Sequence, residues 1–96
     1  MNLNEISEYI SSLFGGVEQL GNLVVETNEN QLLMAHYRPL VHLLERIIPA
    51  VRQRLTVGVN NQGWDYQTAL RLDHELDELV FIVQNLIQDI ETELSE

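Results

Sequence analysis

The densest run of ionisable residues is Asp73-His74-Glu75-Leu76-Asp77-Glu78. His74 and Glu78 stand four apart, one turn on a helix, so an imidazole and a carboxylate share a face and can meet one divalent ion. Two ligands do not make a site. A carboxylate-bridged centre inside a helical bundle needs a Glu-x-x-His pair from each of two helices. This chain offers His42-x-x-Glu45 and His74-x-x-x-Glu78, in reversed order and with unequal spacing. The acidic run therefore reads as a solvated helix face, and neither a metal nor another cofactor is expected. His36 and His42 are six apart, on different faces of a helix, with no cysteine or Ser/Asp set nearby to build a nucleophile. Gly15-Gly16 follows no strand and precedes no lysine, so it is no phosphate cradle. The expected protein is not an enzyme.

Two further carboxylate pairs, Glu5-x-x-Glu8 and Glu26-x-x-Glu29, bracket the first apolar segment. Their spacing resembles that of the magnesium-binding carboxylates of all-α nucleotide pyrophosphohydrolases of the MazG type. The resemblance covers these four glutamates. It has glutamate at position 29, where that family more usually has aspartate, and supplies no lysine to meet a triphosphate. It implies a magnesium-dependent nucleotide hydrolase, since such sites use a few carboxylates plus the substrate's phosphates. The competing reading, solvent-facing helix ends, is the one adopted.

The composition narrows the classes. Ninety-six residues, 45% of them hydrophobic and 6% aromatic, make one domain over 1–96 with an aliphatic core. The absence of cysteine excludes a disulfide scaffold and a thiolate metal site and suggests a reducing compartment. The longest apolar run, Leu79 to Val83, is far short of the ~20 residues that span a bilayer. Glu5 and Glu8 stand where a signal peptide would carry basic residues, so a cytoplasmic chain is expected. Net charge is −10 and the five positive residues are all arginine. Such a surface repels phosphate backbones, so direct nucleic-acid binding is not expected and a basic protein partner is.

The elements follow from spacing. Leu3, Ile6, Ile10, Leu13, Val17, Leu20 and Val24 alternate steps of three and four, one continuous helical seam. Asn2 or Asn4 can cap its start, and Glu5 complements the dipole. Gly15-Gly16 marks a soft point in this helix. Thr27 to Asn30 is a polar turn. A second seam runs through Leu33, Tyr37, Leu40, Leu44, Ile47 and Val51, with Leu32, Val41, Leu43, Ile48 and Leu55 widening its apolar face; bends are expected at Pro39 and Pro49, or a new start near Pro39. Thr56 to Tyr66 has no helical period and reads as a long connection, with Trp64 and Tyr66 folding back onto the bundle end. The third seam is Ala69, Leu72, Leu76, Leu79, Val83, Leu86 and Ile90, capped by Thr68 or Asp65.

The expected fold is thus all-α, an antiparallel three-helix bundle with helices at about 3–26, 30–56 and 66–94. Arg38, Arg46, Arg52 and Arg54 lie on the middle segment between two acidic ones, which suits internal pairing; Arg46, Arg52 and Arg54 also form a potential positive stripe. Leu79 to Val83 is apolar all round, more than three helices can cover. Completion to a larger bundle by homodimerisation is the expectation, with cover by the Trp64 loop as the alternative.

The function expected is a small acidic interaction protein of adaptor, chaperone, antitoxin, immunity or inhibitor type. Its partner-binding surface would be the third helix, with Asp73, Glu75, Asp77 and Glu78 steering a basic partner and Val80, Phe81 and Ile82 making apolar contact. The alternatives are a DNA mimic that occupies a nucleic-acid-binding protein and the metal-dependent nucleotide pyrophosphohydrolase.

Overall fold

The computed structural model of the chain describes residues 1–95. Three helical rods run antiparallel in a molecule of 50 × 18 × 17 Å. The first rod is α1 (Leu3–Glu26). The second joins α2 (Asn30–His42), a single π turn (Leu43–Ile47) and α3 (Ile48–Asn61) without leaving helical backbone. The third is α4 (Tyr66–Ser95). At 1.5 Å per residue α4 is about 45 Å long, so it spans the molecule and packs on all the others.

The ends are set by capping chemistry. Asn2 accepts from the Glu5 backbone N–H at 2.9 Å while the Asn2 N–H donates to the Glu5 carboxylate at 3.2 Å, a reciprocal box. Asp65 accepts from the Thr68 backbone N–H at 2.9 Å and from its hydroxyl at 2.7 Å. Of the two candidate caps for α4, Asp65 is therefore the one used. Between α1 and α2 the chain turns at Thr27 to Glu29, where extended backbone breaks both helices.

The core is one aliphatic column. Ile6, Ile10, Val17 and Val24 face Leu33, Leu40, Leu43, Ile48, Val51 and Leu55, and both sets face Ala69, Leu72, Leu76, Leu79, Val83 and Ile90. In α1 and α4 these are the seam positions, with Leu3, Leu13, Leu20 and Leu86 packed around them. At Gly15-Gly16 the first helix is unbroken, and a Cβ added at either glycine would meet nothing within 4 Å, so no other backbone approaches there.

The middle rod departs from its expected seam. Leu43 and Ile48, expected only to widen the apolar face, are buried, whereas the seam positions Leu44 and Ile47 are only half-buried. The reason is Pro49, the second residue of α3, which has no N–H for the carbonyl four residues back and would crowd it. The rod widens instead: the Ile48 N–H donates to the Leu43 carbonyl, five residues back. Leu43 and Ile48 thereby come onto one face. Pro39 starts no new helix, because α2 continues through it.

The connection before α4 is also shorter than 56–66. Helix continues to Asn61, and only Gln62 to Asp65 link the rods. Thr56 to Asn61 lack a seam because Gly58, rather than an apolar side chain, faces inward. Gly58 is buried, and a Cβ there would lie 2.0 Å from Trp64 Cε3. The indole lies on the bare backbone, Trp64 N–H and Gln62 N–H both donate to the Gly58 carbonyl, and Gly63 supplies the positive φ of 66° that the reversal requires. Trp64 thus folds back as expected. Tyr66, in contrast, stays exposed.

Candidate functional site

The outer face of α4 carries the residues expected to bind a partner. Burial divides the apolar run at its middle: Leu79 and Val83 are in the core, Val80 is packed against it, and Phe81 and Ile82 remain 65% and 40% exposed. Trp64 does not cover them. It sits at the far end of the bundle on Gly58, and 17 residues of chain, about 24 Å along α4 from Tyr66 to Ile82, lie between.

The acidic residues divide as well. Asp73 and Asp77, one turn apart, both accept from Arg52 of α3, Asp73 at 2.6 Å. Burial alone would lower the Arg52 pKa, but the hydrogen bonds to Asp77 and Asp73 outweigh it and hold the guanidinium charged. Asp73 and Asp77 thus fasten α4 to α3. Glu75 is half-buried and Glu78 exposed, and among the described residues no ion pair engages either. Steps of three and four join Glu75, Glu78, Phe81 and Ile82 into one stripe. Beside it, a groove between α1 and α4 is lined by Phe14, Gly15, Val17 and Ile82, where Gly15 leaves open space.

The middle rod carries a second feature that the sequence showed only in part. Among the described residues Arg52 is the one arginine paired with a carboxylate. Arg54 stacks on Trp64, 4.4 Å from the ring centroid, and donates to the Met1 carbonyl at 3.0 Å. Arg46 is exposed beside it on a cleft of about 510 Å³ floored by Ile6, Tyr9, Ile47, Ala50 and Val51. Internal pairing of the four middle arginines is therefore realised once, through α4, and helix α1 takes no part in it. Of the expected stripe of Arg46, Arg52 and Arg54, Arg52 turns to α4, and Arg46 and Arg54 remain on the cleft, which depends on the α1 terminus lying over α3.

The other chemical candidates are not brought together. Glu8 and Glu26 stand at opposite ends of α1, about 27 Å apart along its axis, so the four glutamates of the pyrophosphohydrolase resemblance cannot share one ion in this chain. No three His, Asp or Glu side chains cluster at metal-binding distance among the described residues. His36 approaches the Thr27 hydroxyl at 3.5 Å, across the α1–α2 turn. No helix among the described residues is long and apolar enough to cross a membrane. Comparison with models of protein families, with curated proteins and with solved structures finds no match to this chain.

Proposed function

We propose that this chain is a small acidic, non-enzymatic protein–protein interaction module of adaptor, chaperone, antitoxin, immunity or inhibitor type, acting in the cytoplasm and binding a basic protein through the outer face of α4. The observation that carries this reading is Phe81. It is 65% exposed in the middle of a regular helix whose neighbours on the inner face are completely buried. An aromatic ring with an aliphatic neighbour, bordered by free carboxylates, has the anatomy of a binding patch, an apolar centre with a charged rim. Glu75 and Glu78 supply the rim, and Asp73 and Asp77 add to the field while remaining tied to Arg52.

A net charge of −10 speeds encounter with a cationic surface and repels nucleic acid. DNA mimicry fits less well, because Phe81 and Ile82 interrupt the row of carboxylates that would imitate phosphates. Capture of proteins from the cells that make this chain, by the immobilised parent and by Phe81→Asp, tests the proposal. A captured basic protein that is lost with Phe81→Asp and released by 0.5 M salt is the expected result. An identical set on both surfaces removes α4 as the binding face, and competition by duplex DNA for the captured protein would turn the reading toward mimicry.

A further inference from the structure

The outward face of the middle rod carries a furrow with the chemistry opposite to that of α4. Three depressions along it share their linings. Arg46 belongs both to the one around Met34, Tyr37 and His42 and to the cleft between α1 and α3, and Ala50 and Arg54 extend that cleft toward Asn61 and Gln62. From Met34 to Gln62 the furrow is about 40 Å long. Arg38, Arg46 and Arg54 line it, none with a carboxylate within 4 Å among the described residues, although the chain has fifteen carboxylates. His42 and the single acidic residue Glu45 lie between Arg38 and Arg46. At the centre, Ala50 leaves the apolar floor open between Arg46 and Arg54.

An occupant must be linear, apolar at its centre and acidic beside it. One segment with that description is present in the molecule: α4, about 45 Å long, with Phe81 and Ile82 near its middle and Glu75 and Glu78 alongside. We infer that a second copy of this chain lays the outer face of its α4 in this furrow, seating Phe81 in the cleft over Ala50 and pairing Glu75 and Glu78 with Arg38 and Arg46. The cleft of about 510 Å³ has ample room for a phenyl ring. Packing α4 directly against another α4 would instead set glutamates against glutamates, and like charges in an interface oppose docking. Repulsion between two copies of charge −10 is screened beyond about 8 Å at physiological ionic strength, whereas the paired groups meet at contact distance. The inference rests on α4's outer face being a binding surface, and it makes self-association a competitor of the basic partner for that face.

The test is the solution mass of the full chain in 0.15 M salt at concentrations up to about 1 mM, a range that detects even millimolar dissociation constants. The parent is expected to exceed the mass of one chain. Arg38→Glu with Arg46→Glu, and separately Glu75→Arg with Glu78→Arg, are expected to remain single chains with unchanged helix content by circular dichroism. An equimolar mixture of the two variants restores complementary charge at both contacts and is expected to regain the parent's mass. A parent that stays a single chain throughout overturns the inference, as do charge-reversed variants that associate like the parent. The Arg38→Glu, Arg46→Glu variant keeps α4 intact. It therefore still captures the basic partner if the proposed function holds, so failure of self-association and failure of partner binding are read separately.

Discussion

A methyl group added at Gly58 would lie 2.0 Å from the Trp64 ring, whereas one added at Gly15 or Gly16 would meet nothing within 4 Å. Opposite signs follow for the same substitution. Gly58→Ala is expected to expel the indole, lose the Arg54 stacking and cost about 1–3 kcal/mol, read as a lower melting temperature with red-shifted emission from the single tryptophan. Gly15→Ala and Gly16→Ala remove helix-interior glycines on an open surface and are each expected to stabilise by about 0.5–1 kcal/mol, roughly 2–8 °C in melting temperature for a domain of this size. Asp65 adds a pH-dependent contribution. The Thr68 hydroxyl and backbone N–H hold its carboxyl below the usual aspartate range, so its contribution is complete above about pH 4 and fades as pH falls through the depressed folded value. The melting-temperature gap between the parent and Asp65→Ala should thus be constant at neutral pH and shrink below about pH 4; a gap that widens on acidification would contradict this cap. The caps at Asn2 and Asp65 were legible in the sequence because capping is local. Gly58 was not, since its burial depends on a tryptophan that returns six residues later.

At the scale of elements, the three rods and nearly all of α1 and α4 could be read from spacing, because a regular helix repeats its inner face every three or four residues. The middle rod could not be read so simply. A strict three-and-four count through Leu40, Leu44, Ile47 and Val51 assumes α-helical winding throughout. The π turn forced at Pro49 breaks that count locally and turns Leu43 and Ile48 from the edge of the apolar face into the core. This register can be measured. Leu43→Ala and Ile48→Ala are each expected to cost about 2–5 kcal/mol, the range for emptying a closed core position. Leu44→Ala and Ile47→Ala, at half-buried positions, should each cost less than their buried neighbour. Denaturant midpoints of the four variants decide the order, and a reversed order would restore the uninterrupted heptad seam. The same departure shapes the candidate site, because the residues from Leu43 to Ile47 sit where the furrow passes from Arg38 to Arg46.

At the scale of the whole molecule, charge and apolar exposure make separable predictions. Phe81 is largely outside the core, so Phe81→Asp should leave stability within about 0.5 kcal/mol of the parent while abolishing capture. A large loss of stability would mean that the ring is packed, and the binding patch would have to be sought elsewhere. Net charge acts on the fold itself. Ten uncompensated negative charges on a rod 50 Å long and 18 Å wide repel one another at distances that salt screens well. Against this repulsion the ion pairs among the described residues are few, Arg52 with Asp73 and Asp77, and they are partly exposed, where each contributes about 0–1 kcal/mol. Repulsion should therefore win at low ionic strength. The melting temperature of the parent is expected to rise as sodium chloride increases from 10 mM to about 150 mM, where the screening length falls from 30 Å to about 8 Å. Arg52→Ala should melt lower and show at least as steep a rise, because it removes attraction and adds a net negative charge. A melting temperature that falls with salt in the parent but not in Arg52→Ala would give the dominant role to the Arg52 pairs instead.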